Sequence, residues 1–214
     1  MSEAIRPGHQ LATTAKSILS PLGCKRIGCS RTRIADQRFW IILIEFQPSS
    51  FSRGSHLNVG ASWLWSAKDH WSFDHGTRVE EFAPFQDEHQ FAAGAERLAM
   101  RAAEEVRRLR KKFRTVSEIA REIAPKPDAS TWPIYHAAIA AGLAGDTVTA
   151  KRFLTRVIEE PGTAAWQRKL QAESAELARN LADPIKLRVA VVAIIQQARA
   201  LHRLPPDPGC LDAA

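Results

Sequence analysis

The clearest pattern in the sequence is a pair of apolar runs separated by a polar loop. Residues 38–47 (RFWIILIEFQ) are rich in aromatic and β-branched residues and are apolar on both parities, which predicts a central strand. Residues 56–65 (HLNVGASWLW) alternate strictly, as in a strand with one buried face. The Pro, Ser and Gly residues at 48–55 favour a turn. We therefore predict a β-hairpin at about residues 38–65.

The register of this hairpin follows from the face that each large apolar residue takes. A slip of one residue would turn the apolar side chains of one strand to the opposite face. Pairing residue 46 with residue 57 avoids this and gives aromatic and β-branched cross-strand pairs, each worth about 0.2–1 kcal/mol. The pairing sets one apolar row against another: Trp40, Ile42, Ile44 and Phe46 against Trp63, Ala61, Val59 and Leu57. The opposite face then gathers polar residues at the loop end, with Glu45 beside Asn58 and Gln47 beside His56.

The segments around the hairpin are predicted from weaker signals. Residues 11–22 form a short helix that a Pro-Leu-Gly sequence ends. Residues 24–34 (CKRIGCSRTRI) show no clean alternation, which indicates an irregular edge strand. Residues 66–86 are a long connection with one short strand at about residues 77–82.

A long helix follows from Asp87, which is a suitable N-cap residue. Apolar residues recur there at alternating spacings of three and four, which is the period of an amphipathic helix. They are Phe91, Ala95, Leu98, Ala102, Val106, Leu109 and Phe113. We expect this stripe to lie across the sheet.

The second half is Ala-rich and punctuated by helix caps and breakers. A short helix starts at residues 115–118, residues 125–131 (PKPDAST) form a linker, and the tail from residue 204 is expected to fray. Four longer helices are predicted at about 132–144, 146–160, 164–182 and 184–203.

Together these elements predict an α+β fold: an antiparallel sheet with a long amphipathic helix across it, followed by an all-α helical subdomain. The predicted domains are residues 1–115 and 116–214. Small residues in the second half resemble one helical hairpin of a tetratricopeptide-like solenoid. A shift of 34 residues aligns Trp132 with Trp166 and Leu143 with Leu177, but little else agrees, so we predict no repeat array.

Charge distinguishes the two halves. The formal net charge is +7 and the pI is about 9.7, which favours acidic partners. Residues 1–115 hold 18 Lys or Arg against 12 Asp or Glu, whereas residues 116–214 hold 12 against 11. The basic character therefore belongs to the first half.

The cellular compartment is predicted from cysteines and apolar runs. Three cysteines, Cys24, Cys29 and Cys210, match neither a zinc knuckle nor a CxxC redox motif and favour a reducing compartment. The first ten residues lack the apolar core of a leader, and no apolar run approaches the roughly 18–20 residues of a transmembrane helix. We expect a cytoplasmic protein with no membrane partner.

Three runs in the first half carry a family resemblance: LGCKRIGCSRTR, FWIILIEFQPSS and HLNVG. They resemble a family of bacterial domains of unknown function, over roughly residues 10–115, chiefly at Gln47, Ser49, Asn58 and Gly60. The resemblance implies a helix–strand–strand–strand–helix arrangement of the α+β class. It implies no activity, and it does not reach the helical half.

The polar face of the hairpin is the first candidate site. A Glu–His pair on adjacent strands can act as general acid and base, or bind a polar ligand beside an Asn and a Gln. Alternatively, Gln47 and Asn58 fix the loop by hydrogen bonds to the backbone, and Glu45 and His56 are solvated. We take Glu45, Gln47, His56 and Asn58 as candidate ligand-binding residues.

The segment DHWSFDH at residues 69–75 carries Asp69, His70, Asp74 and His75, residue types that bind divalent metals or serve in hydrolases. Their spacing matches no metal motif, and the sequence has neither a G-x-S-x-G elbow nor a phosphate-binding glycine loop. We therefore predict no catalytic residue, no metal site and no cofactor.

The most basic segment is RRLRKKFR at the end of the long predicted helix. Its cations suit phosphates or an acidic partner, but cations at a helix C-terminus also interact favourably with the helix dipole and with Glu residues one turn away. The candidate residues are Arg107, Arg108, Arg110, Lys111, Lys112 and Arg114.

The leading functional hypothesis is a non-enzymatic binding protein that recognises an acidic protein or ligand. The alternative is a nucleic-acid-binding protein that uses residues 107–114. A second alternative is a small metal-dependent hydrolase or nuclease built on the residues of the DHWSFDH segment.

Overall fold

A computed structural model of the chain describes residues 7–212, in which a β-sheet is combined with seven α-helices. The helices are α1 (Pro7–Leu19), α2 (Glu88–Lys112), α3 (Val116–Glu122), α4 (Thr131–Leu143), α5 (Thr147–Glu159), α6 (Ala165–Asn180) and α7 (Pro184–Leu201). The strands are β1 (Lys25–Arg26), β2 (Thr32–Asp36), β3 (Trp40–Pro48), β4 (Gly54–Trp63) and β5 (His75–Pro84). The predicted α+β class is confirmed.

The five strands form one sheet in the order β1-β2-β3-β4-β5, so each strand lies beside its neighbour in sequence. The predicted hairpin is β3 and β4. The predicted pairing of residue 46 with residue 57 also places Ser49 opposite Gly54. The Ser49 N–H donates to the Gly54 carbonyl at 3.2 Å, so the register agrees with the prediction. Trp63 and Trp65 are buried, as the alternation requires.

Two strand predictions are wrong in extent. Residues 24–34 are two short strands joined by a turn, because Gly28 adopts a φ of 49° and the Ser30 hydroxyl accepts the Thr32 N–H at 3.1 Å. The predicted short strand at 77–82 is the ten-residue β5. Its backbone comes so close to β4 that a Cβ on Gly60 would lie 2.3 Å from the His75 carbonyl oxygen.

Helix α2 crosses the sheet, as its apolar stripe predicts. Near its start, a Cβ on Gly94 would lie 3.0 Å from the side chain of Ala83 in β5. Near its end, Arg110 donates to Gln37 between β2 and β3 at 3.2 Å and to the Leu22 carbonyl at 2.7 Å.

The chain divides into two compact units. Of the described residues, the first unit contains those up to Ser62 and Trp71–Lys111, and therefore the sheet except Trp63 at the end of β4, together with most of α2. The second contains Trp63–His70 and the chain from Lys112 onward. Among residues 7–212, no helix is both long and apolar enough to cross a bilayer.

In the second unit, α4 packs against α3, α5 and α7 and is buried on nearly every side. Three helices of this unit, α3, α5 and α7, start at residues whose side chains cap the backbone. Thr115 and Glu118 form a reciprocal capping box on α3, and Asp146 and Asp183 accept backbone N–H groups at the starts of α5 and α7.

The described part of the C-terminal tail, residues 204–212, is packed, so the expectation that the tail frays is wrong for these residues. Cys210 and Leu211 are each 1% exposed. Arg199 donates to the Pro205 carbonyl at 2.6 Å, and Gln196 donates to the Asp207 carbonyl at 2.7 Å. Side chains of α7 thus satisfy the backbone of the tail.

A buried polar group also lies in the second unit. The Tyr135 hydroxyl is 3.0 Å from the Trp65 carbonyl oxygen and hydrogen-bonds to the Glu173 carboxyl group. The Tyr135 hydroxyl is the donor, and the Glu173 carboxyl oxygen is the acceptor. Burial raises the pKa of Glu173, and the hydrogen bond from Tyr135 offsets part of that rise.

Candidate binding cavity

A cavity of about 710 Å³ opens in the first unit. Its walls come from α1, the β1–β2 turn, the end of β3, the β3–β4 loop and the aromatic residues Phe85 and Phe91. A volume of this size is within the range of small-molecule sites, about 300–1,000 Å³.

Strand pairing brings two arginines together in the wall. In the β1–β2 register, Arg26 lies directly opposite Arg33. Like charges in such positions destabilise a sheet by up to about 1 kcal/mol. Each guanidinium is held by backbone oxygens: Arg26 donates to the carbonyls of Cys29 and Ser30, both at 2.6 Å.

Arg33 is the most constrained of the lining cations. It is 5% exposed, and it donates to the Ala12 carbonyl of α1 at 3.1 Å. Burial lowers the pKa of the Arg33 guanidinium, and the charge of Arg26 lowers it further. The fold therefore holds a nearly buried cation at the cavity wall beside a second cation.

Two further arginines line the cavity. Arg31 shares the face of Arg33, two residues earlier in the chain, and reaches to 3.9 Å from where a Gly8 Cβ would lie at the start of α1. Arg53 comes from the β3–β4 loop, and its guanidinium lies 4.8 Å from the centroid of the Phe85 ring.

The remaining wall is largely apolar. Phe46, Phe91 and Leu11 are buried side chains that border the cavity, and Phe85 meets Phe91 edge to face at 5.3 Å. None of the residues described as lining the cavity is Asp or Glu. Four arginines beside an apolar wall, without a carboxylate among them, suit a ligand with an anionic group and an apolar body.

The predicted polar cluster is partly assembled. Asn58 donates to Glu45 at 2.9 Å and to Gln47 at 3.0 Å, and Arg78 of β5 donates to Gln47 at 2.8 Å. His56 packs against Phe82, with ring centroids 4.8 Å apart. The amides thus hydrogen-bond to their neighbours, and none of the four predicted residues lines the cavity.

Most of the predicted basic segment already has partners within the protein. Arg108 pairs with Glu105 at 2.6 Å, Arg114 pairs with Glu118 at 2.7 Å, and Lys112 pairs with Glu122. Arg110 supports the backbone at Leu22, as described above. Arg107 and Lys111 are exposed.

In the DHWSFDH segment, Asp69 contacts His70 at 3.0 Å, and Asp74 accepts from Ser72 at 2.8 Å. Asp69 and His70 belong to the second unit, whereas Asp74 and His75 belong to the first. Within residues 7–212, no group of three or more His, Cys, Asp or Glu side chains is arranged to hold a metal ion.

Sequence reasoning missed the arginines of the cavity, although the sequence contains a signal for them. Between Glu3 and Asp36 there is no acidic residue, while six residues are Lys or Arg. A basic run without nearby carboxylates lacks local counter-ions, unlike residues 107–114. That contrast would have directed attention to Arg26, Arg31 and Arg33.

Comparison with known proteins adds no further constraint on the site: no protein-family model, no curated protein and no solved structure matches this chain.

Proposed function

We propose that the first unit binds a small organic anion with an apolar body, in the cavity lined by Arg26, Arg31, Arg33 and Arg53. The observation that carries the proposal is the burial of Arg33 beside Arg26 in a wall described without a carboxylate. This is a binding function for an acidic ligand, and it includes no chemical reaction.

The energetics of the cavity wall support an anionic ligand. Desolvating an ion in a protein costs several kcal/mol unless an opposite charge compensates it. For Arg33, the described partner is one backbone carbonyl rather than a carboxylate. A ligand carboxylate or phosphate would supply the missing charge and accept from guanidinium N–H groups, which form strong charge-assisted hydrogen bonds.

The apolar wall supports a ligand that is more than an inorganic anion. Burying apolar ligand surface contributes about 25 cal/mol per Å². The side chains of Phe46, Phe85 and Phe91 offer such surface beside the arginines. A short amphiphile satisfies both parts of the wall.

Nucleic-acid binding through residues 107–114 has less support from the contacts. Ion pairs with Glu105, Glu118 and Glu122 already compensate three of the six cations. Phosphates would have to displace those carboxylates, which reduces the net gain of each contact.

The experiment is calorimetric titration with octanoate, with 1-octanol as the uncharged ligand of matched chain length. We expect octanoate to bind at least about tenfold more tightly, since one charge-assisted hydrogen bond is worth about 1.5–3 kcal/mol. Arg33→Met should remove that preference, whereas Arg107→Met, at an exposed position outside the cavity, should keep it. Equal affinity for the two ligands, or equal effects of the two variants, would show that the proposal is wrong.

A further inference from the structure

A second cavity, of about 480 Å³, adjoins the first in the same unit. The two share four lining residues: His9, Ala12, Arg26 and Arg33. The opposed arginines therefore stand where the two cavities meet, and a ligand held by them can extend into either one.

The two cavities differ in the side chains they offer. The first has Leu11, Phe46 and aromatic rings of α2 and the β5–α2 connection. The described lining of the second has no Leu, Ile, Val, Met, Phe or Trp. Beyond the shared residues it offers the hydroxyls of Thr13 and Ser20, the thiol of Cys24 and the ammonium groups of Lys16 and Lys25. An apolar chain therefore fits the first cavity, and a polar extension of the anionic group fits the second.

The positive charge of the lining determines how many anionic groups that extension should carry. Arg26 and Arg33 at the junction and Lys16 and Lys25 in the second cavity supply four positive charges, and no described residue of that lining is Asp or Glu. A single carboxylate at the junction would leave Lys16 without an anionic partner in the cavity. Two consecutive phosphoryl groups carry two to three negative charges and enough acceptor oxygens for both the guanidinium and the ammonium donors.

We infer that the ligand is an apolar chain ending in a diphosphate, with the chain in the first cavity, the inner phosphoryl group at Arg26 and Arg33, and the outer one at Lys16. This inference rests on the proposed function and assigns its ligand class. An isoprenoid diphosphate and a straight-chain alkyl diphosphate both have this chemistry, an apolar chain that ends in a diphosphate.

The test compares three ligands of one chain length by calorimetry on the full chain: octanoate, octyl phosphate and octyl diphosphate. We expect octyl diphosphate to bind about tenfold more tightly than octyl phosphate, the effect of one added charge-assisted contact. Lys16→Met should remove this increment and leave octyl phosphate affinity within about twofold. Lys111→Met, an exposed lysine of α2 outside both cavities, should change neither value.

The outcomes separate the two proposals. If octyl phosphate and octyl diphosphate bind equally while octanoate binding still depends on Arg33, the diphosphate inference is wrong and the anion-binding function stands. If Lys16→Met weakens all three ligands alike, the division of the ligand between the cavities is wrong. If inorganic diphosphate binds as tightly as octyl diphosphate, the chain does not occupy the first cavity. If no ligand shows dependence on Arg33, both proposals are wrong.

Discussion

Replacing Arg33 with Met tests whether the cavity is built at the expense of stability. Arg33 is 5% exposed, lies opposite Arg26 in the sheet and donates to the Ala12 carbonyl. Met keeps an unbranched side chain of comparable reach and removes the charge. We expect the ligand-free variant to be more stable than the natural chain.

The size of the effect follows from three contributions. Removing a nearly buried cation recovers several kcal/mol of desolvation, for which we take about 3 kcal/mol because Arg33 also borders the cavity. Removing the opposed like charge of Arg26 recovers up to about 1 kcal/mol. The lost hydrogen bond to Ala12 is worth about 1.5–3 kcal/mol. With the full contribution of about 1 kcal/mol recovered, the free energy of unfolding should therefore rise by roughly 1–2.5 kcal/mol.

Urea denaturation followed by circular dichroism at pH 7 measures this difference. Arg31→Met is the matched control, because Arg31 is exposed, and its effect should stay within about 0.5 kcal/mol. A loss of more than about 1 kcal/mol for Arg33→Met, with Arg31→Met neutral, would refute the reasoning: it would mean that Arg33 stabilises the empty fold. A higher free energy of unfolding for Arg33→Met would show that the binding site lowers the stability of the natural chain.

Three further predictions concern stability away from the cavity. Gly60→Ala should destabilise the chain by at least about 1–3 kcal/mol in urea denaturation, since its Cβ would lie 2.3 Å from the His75 carbonyl oxygen; an unchanged midpoint would show that β5 can move away. The pKa of Glu173 is higher in the folded state than in the unfolded state. The stabilisation from its carboxyl group is therefore complete below the ordinary pKa of about 4.3, and it is lost as the pH rises through the folded-state pKa. The free energy of unfolding of Glu173→Gln, relative to that of the natural chain, should therefore rise from pH 4 to pH 7. A difference that is constant across that range would show that the folded-state pKa of Glu173 is not raised. Thr115→Ala should cost about 1 kcal/mol through the lost capping box of α3, and a thermal melt unchanged from that of the natural chain would count against it.

The polar cluster of the hairpin was predictable because a strand has a period of two. Once the large apolar side chains fix the register, Glu45 and Asn58 must be neighbours on the other face. The sequence could not show that Arg78 joins them, since β5 reaches its place through a connection of low regularity. It also could not show that His56 faces Phe82.

The basic segment illustrates a different limit. Helical periodicity correctly predicted the buried stripe of α2, which includes Leu98 and Leu109. The cations Arg114 and Lys112, however, pair with Glu118 and Glu122, which belong to the next helix, α3. Net charge along the chain cannot distinguish a cation that is paired in this way from one that faces a cavity.

By itself, the sequence determined the elements whose signals are local: the β3–β4 hairpin, the long α2, and the helices that start at capped residues such as Asp146 and Asp183. Periods of 2 and 3.6 residues and side-chain caps act within a few positions, so they can be read from one chain. The arginine cavity was decided by tertiary structure. The turn at Gly28 folds Arg26 back onto Arg33, and α1, some twenty residues earlier, covers the Arg33 side chain. Burial and opposition of like charges depend on elements that are distant along the chain, and those two properties are what make the cavity a binding site for an anion.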